Sequence, residues 1–384
     1  MRIAVIGAGH AGVAAAEAAA KQGAEVVLFS AESALPYFRP RIVGVAVGRE
    51  AEEAILFHPR EWFEARGIEL RLGSPVESVE RVDAGFVVRA GGKDERVDRL
   101  VLATGACPFT PPLYATKRER LSPLWTLADA RALSAKLVPG TRLCVIGGGI
   151  LGLELALGAA ARPGVSVTVV EREDRLMRAQ LSDLVSGALR DNLTRRGVEV
   201  VTNACVERFE EVPGALRLCF ADGGVREFEQ VVYALGARAC LDLARVCGLE
   251  VGRGVRVDGS LATSVEGVWA CGDVVEVDGV TRSVALEAVK QGRVAGENAA
   301  GGKAVYRSVG AALSYRHPDL EILAIGAAQP EGSRLREVPT EKGLCVLVIQ
   351  DGLLVGVQAL DAREAFRQHE KRLGQAVDGA GEGV

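Results

Sequence analysis

Residues 2–12 read Arg2-Ile3-Ala4-Val5-Ile6 and then Gly7-Ala8-Gly9-His10-Ala11-Gly12, an aliphatic run that opens onto a glycine-spaced turn. The run has the length of a buried strand. The alanine-rich stretch after the turn, to Lys21-Gln22, has that of a helix stopped by Gly23. The pattern recurs: Leu143-Cys144-Val145-Ile146 leads into Gly147-Gly148-Gly149-Ile150-Leu151-Gly152, then a second helix and a Pro163-Gly164 break. A single G-x-G-x-x-G is a weak signal. Here both copies stand between a strand and a helix, where backbone N–H groups and a positive helix end can meet a pyrophosphate with no Cβ in the way. Each is also followed, at the end of the next strand, by an acid suited to ribose hydroxyls: Glu32, 20 residues after Gly12, and Glu171, 19 residues after Gly152.

Outward from these repeats, 384 residues with 48% hydrophobic and 25% charged side chains give room for two or three domains with their own cores. A net charge of −4 argues against a general affinity for nucleic acid or anionic membrane. Met1 runs directly into the first strand with no charged leader and long apolar segment, so a cytoplasmic location is expected. The apolar stretch Cys144 to Ala161 carries Glu154 and the GGG cluster, which speaks against a membrane span. Residues 68–105 read as short alternating strands ending in Leu100-Val101-Leu102-Ala103, and the proline-rich segment 107–123 as a crossing into the second unit. Strands follow near 198–202, 231–235 and 268–270. After about residue 303 come short strands (322–326, 344–349, 353–357) and one helix, 361–373.

The predicted fold class is α/β, with two Rossmann-like dinucleotide-binding domains and a small α+β C-terminal domain. The first domain takes residues 1–110 and 242–302, the second 111–241, the third 303–374, and 375–384 forms a disordered tail. Eight cysteines show no CxxC spacing and four histidines share no helical spacing, so no metal site is expected and the cysteines read as reduced, mostly buried thiols.

Two dinucleotide sites on one chain suggest that the dinucleotides react with each other by hydride transfer. Through GAGHAG, Ala103-Thr104-Gly105, GGGILGLE at 147–154, Ala270-Cys271-Gly272-Asp273 and the stretch 288–301, the chain resembles the FAD-dependent pyridine nucleotide-disulfide oxidoreductase superfamily over about residues 1–360. The resemblance implies an FAD site at Gly7, Gly9, Gly12 and Glu32, with Val76 approaching the adenine, and with Ala103, Thr104 and Gly105 alongside. It implies that Gly272 and Asp273 meet the ribityl chain and that residues from Glu287 to Gln291 and Gly292 line the flavin ring. Gly147, Gly149, Gly152, Glu154, Glu171 and Gly236 would hold NADH, with NADPH the alternative, and Ile150 and Glu154 would lie near the nicotinamide.

Disulfide-reducing members carry a cysteine pair near the start of the chain; residues 1–106 here contain no cysteine. In its place stands Pro36-Tyr37-Phe38-Arg39-Pro40-Arg41, similar to a segment of NADH:rubredoxin oxidoreductases, with Arg39 and Arg41 suited to FAD phosphate or the flavin edge. Ferredoxin reductases usually continue to Ser-Lys where Val43-Gly44 stands. Other departures are Ala237-Arg238-Ala239 after the AxG motif at 234–236 and Phe109 after ATG. The implied activity takes hydride from NADH onto FAD and passes electrons to a small electron-transfer protein, rubredoxin or ferredoxin-like, with no side-chain acid or base. Arg363, Arg367 and Lys371, spaced i, i+4, i+8, could steer such a partner. The alternatives are an NADH oxidase or diaphorase, the flavoprotein of a nitrite reductase or dioxygenase system, and a redox-responsive protein that binds FAD and NADH without useful turnover.

Overall fold

The computed structural model describes residues 1–281, 283–308, 312–317 and 320–377. The chain divides into two compact units, the first comprising Met1–Phe109, Trp125–Ala130 and Gly236–Val309, the second Thr110–Leu124, Arg131–Leu235 and Gly310–Val384. Among the described residues no helix is long and apolar enough to cross a membrane.

The first unit is organised by a five-stranded sheet ordered Val268–Ala270, Arg99–Leu102, Arg2–Ile6, Glu25–Phe29, Ile68–Arg71. Every neighbouring pair in it is parallel. A parallel sheet is covered on both faces, which is why its strands are nearly continuous aliphatic runs. Successive side chains then serve different layers. Ile3 and Val5 pack with Val13, Ala15 and Ala295 of two helices, His10–Lys21 and Ala285–Ala299. Ala4 and Ile6 pack with Val79, Phe86 and Val88 of the antiparallel meander Val76–Val82, Gly85–Ala90, Lys93–Val97.

The second unit repeats this plan. Its parallel sheet is ordered Val198–Val201, Ser166–Val170, Arg142–Ile146, Gln230–Tyr233, Leu121–Pro123. A second meander, Val206–Val212, Ala215–Phe220, Val225–Phe228, closes one face through Phe209, Leu218 and Phe228 against Cys144 and Ile146. The repeat seen in the glycine turns thus extends through strand, helix, meander and returning strand.

The C-terminal part of the second unit is an antiparallel five-stranded sheet with its own core around Leu347, Val357 and Phe366. Fully buried Gln358 accepts a 2.7 Å hydrogen bond from the Ser182 backbone N–H, at the start of the helix Asp183–Arg195. The terminal helix is shorter than expected, Arg363–Glu370. Residues 375–377, expected to open a disordered tail, are instead bonded to a strand: the Leu354 N–H donates to Gln375, Ala376 bridges to Leu353, and the Val377 N–H donates to Gly352. A neighbouring strand edge offers bonds to these three residues, and they take them. Residues 378–384 lie outside the described residues.

The two helices of the first unit approach closely because glycines face alanines between them. A Cβ on Gly296 would lie 2.1 Å from the carbonyl oxygen of Ala15, and one on Gly292 would lie 2.2 Å from that of Ala11. By contrast, Gly187, within Asp183–Arg195, has no atom within 4 Å of its Cβ position. Gly296→Ala should therefore destabilise the apoprotein by about 1–3 kcal/mol through overpacking. Gly187→Ala should stabilise it by about 0.5–1 kcal/mol through helix propensity. Urea unfolding of the two variants checks both signs.

Candidate functional site

Each glycine turn closes by backbone-to-backbone contact, and the three glycines of a motif serve different ends. In the first, a Cβ on Gly7 (φ +107°) would fall 2.2 Å from the carbonyl oxygen of Ala103, and one on Gly12 would fall 1.7 Å from that of Gly7. In the second, a Cβ on Gly147 (φ +114°) would fall 2.4 Å from the oxygen of Ala234, and one on Gly152 would fall 2.1 Å from that of Gly147. These four are glycine because the protein's own backbone fills the space. Gly9 and Gly149 are not. Their φ values, −79° and −85°, suit any residue, and a Cβ on either would meet nothing within 4 Å.

Both are helix N-caps with no side chain to cap the first-turn N–H groups, whose partial positive charge faces the space left beside each glycine. An anion that must come within van der Waals distance of the backbone accounts for glycine there. Both sites therefore fit the pyrophosphate of a dinucleotide.

Around the first cradle the side chains form one connected group. Glu32 accepts from the Tyr37 hydroxyl (2.7 Å) and from Arg39 (2.8 Å), and Tyr37 in turn accepts from the Leu127 N–H (3.0 Å). Arg39 also donates to the carbonyl of Trp125, and its guanidinium lies over the rings of Tyr37 and Trp125. Each oxygen of Glu32 keeps a lone pair for a ribose hydroxyl. Burial raises the Asp273 carboxyl above the usual range, while a hydrogen bond from Ser283 and the charge of Arg39 pull it back down. Asp273 is held by its neighbour: the Gly272 N–H donates to buried Gln291 (2.8 Å), and a Cβ on Gly272 would lie 2.8 Å from that of Ala11.

Sequence reasoning passed over His10, on the first turn of the glycine helix, although the repeat aligns it with Ile150. Its ring sits edge-on to Phe38 and Phe57, and its buried Nε2 has no hydrogen-bond partner among the described residues. Burial, with the Arg39 charge adding to it, lowers its pKa to about 4, so it is neutral at neutral pH. An orphaned polar atom beside an open cradle is a second sign that the first site fits a bound group.

The structure places the other expected residues of the first site as follows. Arg41 is occupied by Glu50 (2.7 Å) and the carbonyl of Ala54 (2.8 Å), apart from the Glu32–Arg39 pair. Val76 opens the meander, paired with Ala90. Thr104 donates to the carbonyl of Cys240 (3.1 Å), and Gly105 takes a left-handed φ of +66°. Buried Glu287 accepts from Lys290 (3.0 Å) and from Tyr306.

In the second unit, Glu171 accepts from the Gly148 N–H (2.6 Å) and the Glu173 N–H (2.8 Å), which puts the strand-end acid on the glycine turn. Arg172 and Arg178 pair with Glu173, and Arg175 with Asp174. Ile150 and Glu154 are half-buried on the glycine helix, and Gly236 has φ +92°.

The expectation of reduced, mostly buried cysteines is corrected. Cys107 and Cys240 form a disulfide, with Cα atoms 5.6 Å apart. Of the six free thiols only Cys144, Cys271 and Cys345 are buried. The pair is joined because the strands Ala106–Pro108 and Ala237–Ala239 run antiparallel to each other. The signal was the repeat: both cysteines follow equivalent turns, ATG at 103–105 and ALG at 234–236.

The division of labour among the glycines is testable. Gly9→Ala should leave apoprotein stability within about 1 kcal/mol of the parent, the scale of an N-cap change, while sharply reducing bound dinucleotide. Gly7→Ala should destabilise the apoprotein itself. Thermal unfolding with cofactor content measured on the same samples separates the two.

A family model described as pyridine nucleotide-disulphide oxidoreductase matches residues 1–293. The ferredoxin–NAD(+) reductase component of the anthranilate 1,2-dioxygenase system of Burkholderia cepacia is 34% identical over 275 residues, 70% of this chain and 67% of its own. A rubredoxin–NAD(+) reductase of Ectopseudomonas oleovorans is 32% identical over 277 residues, 71% of each chain. The crystal structure of NADH:rubredoxin oxidoreductase from Clostridium acetobutylicum has the same fold, with a TM-score of 0.82 over 99% of this chain and 97% of that one at 23% identity. The mixed α/β chain, with its duplicated glycine cradles, belongs to the pyridine nucleotide-disulphide oxidoreductase family.

Proposed function

We propose that the protein is an NADH-dependent flavoenzyme that holds FAD in its first unit and NADH in its second, and delivers electrons to a small redox protein of the rubredoxin or ferredoxin type. The observation that carries this reading is the pair of cradles at Gly9 and Gly149, each a glycine with no reason inside the protein to be one. When bound, the flavin supplies the chemistry: it accepts hydride from a nicotinamide and gives up electrons one at a time.

The chain's own residues bind and orient. In the first unit the N–H groups after Gly9 would take the FAD pyrophosphate, Glu32 the adenosine ribose, and Asp273 a ribityl hydroxyl. Arg39, bonded to Glu32, holds that acid in place, and its charge, felt also at Asp273, offsets the two acids beside the phosphates. In the second, Glu171 would accept from the NADH ribose. The arginines beside it are turned to Glu173 and Asp174, so little cation is left for a 2′-phosphate. Hydride transfer of this kind needs positioning more than a titrating side chain.

Two features support a protein acceptor. Residues 1–106 hold no cysteine to relay electrons to a disulfide. The two curated relatives named above are reductases of rubredoxin and of a ferredoxin. On the terminal helix, Arg363 is paired with Glu321, which also pairs with Arg316; Arg367 and, at the helix C-cap, Lys371 are exposed. A docking role there falls to those two.

NADH should be preferred over NADPH by about tenfold or more in kcat/KM, the effect of roughly 1.4 kcal/mol of repulsion between Glu171 and a 2′-phosphate. Glu171→Gln should narrow that ratio; equal values in the parent would contradict the assignment. With NADH as donor, rubredoxin or ferredoxin reduction should be fast at low ionic strength and slow as salt is added. Oxygen or disulfide reduction outpacing every carrier protein under the same conditions would overturn the choice of acceptor.

A further inference from the structure

The disulfide has no part in the activity just described, and its surroundings are those of a reactive bond. Cys107 is directly opposite Arg238 in the two-stranded ribbon, with Ala106 opposite Ala239 and Pro108 opposite Ala237. Alternate residues of a strand share a face, and opposed residues share it across the ladder. Cys107, Phe109, Arg238 and Cys240 therefore line one face, and the Arg238 guanidinium lies 3.8 Å from the centre of the Phe109 ring. A fixed cation is thus on the same face as both sulfurs. Cys107 is exposed and Cys240 half-buried, so a nucleophile from solvent reaches the Cys107 sulfur and the Cys240 thiolate leaves on the face that carries Arg238. A neighbouring cation lowers a thiol's pKa and improves it as a leaving group.

The ribbon is also connected to the first dinucleotide site. The Cys240 N–H donates to the carbonyl of Gly105 (3.0 Å), and the Cys240 carbonyl accepts from the Thr104 hydroxyl (3.1 Å). Ala103, next in the same turn, places its carbonyl against Gly7. The ribbon lies beside two of the points where the chain passes between units, Phe109 to Thr110 and Leu235 to Gly236. The bond closes a loop across a sequence separation of 133 residues.

We propose that Cys107–Cys240 is a thiol–disulfide exchange site, opened in the folded protein by dithiols, whose state sets how firmly the turn Ala103-Thr104-Gly105 retains the flavin dinucleotide. The retention part rests on the assignment of FAD to the first unit. In the exchange, a thiolate of the dithiol attacks the Cys107 sulfur and forms a mixed disulfide while Cys240 departs as thiolate. The second thiol of the reductant then displaces Cys107, which leaves an oxidised reductant and two reduced cysteines. Oxidation of that pair by a disulfide reverses each step.

The test uses the aerobically purified holoprotein, treated with dithiothreitol under native conditions and quenched with a maleimide mass tag. Peptide mapping should show Cys107 and Cys240 protected before treatment and tagged together after it, with buried Cys144, Cys271 and Cys345 unlabelled in both samples. FAD dissociation, followed by capture in excess apo-D-amino-acid oxidase, should be several-fold faster from the reduced protein, and Cys240→Ser should match the reduced parent. Tagging of both cysteines before reduction, or no opening until the protein unfolds, would overturn the exchange site. Equal FAD loss from the two states would overturn the coupling. The tagging result does not depend on cofactor content, so a protein lacking FAD would remove the flavin assignment and leave the exchange chemistry to be judged separately.

Discussion

The rest of the structure depends on the close approach of backbone to backbone at the glycine turns. The carbonyl of Gly7 occupies the space that a Cβ on Gly12 would take, and the carbonyl of Ala103 occupies that of Gly7. These contacts bring the start of a helix against the ends of two parallel strands with no side chain between them. The free N–H groups of the first turn are then presented at the carboxyl end of the sheet, where a parallel α/β arrangement binds its ligands. Repetition of the same contacts at Gly152, Gly147 and Ala234 makes the second site a near copy of the first.

What distinguishes the copies is the chemistry of the residues around them. The first cradle is ringed by His10, Glu32, Arg39 and Asp273, a group in which one cation serves two acids and helps keep a histidine neutral. The second has Ile150 where the first has His10, and its acid, Glu171, reaches back to the turn itself. Two acids, one bonded to an arginine whose charge also reaches the other, suit a group with several hydroxyls and a pyrophosphate retained through the cycle. A simpler site suits a nucleotide that binds and leaves. That difference accords with the proposed assignment, drawn from the family resemblance, of the resident cofactor to the first unit and the exchanging one to the second.

Much of the fold was legible because local signals agreed: aliphatic strands, glycine turns and alanine-rich helices coincide at residues 2–22 and 142–161. The first meander was visible only as alternation and the second went unread; their equivalence emerges from packing, Phe86 in one and Phe209 in the other covering corresponding strands. Contacts between distant residues left no local trace. The return of Trp125–Ala130 to the first unit gives Tyr37 its Leu127 partner, and no pattern near either residue announces it. Arg41 resembled Arg39 in sequence, yet Glu50 lies within its reach and claims it. The disulfide escaped notice because cysteine spacing was weighed along the chain, whereas its partners meet through an antiparallel ribbon.

The central claim is that two nucleotide sites on one chain serve a single transfer of electrons. Anaerobic stopped-flow mixing of the purified yellow protein with NADH tests it most directly, by following the loss of the flavin's visible absorbance. The account predicts one fast bleaching phase that saturates with NADH, at a limiting rate no lower than steady-state turnover with a carrier protein. A flavin that stays oxidised, or bleaches more slowly than the enzyme turns over, would contradict it.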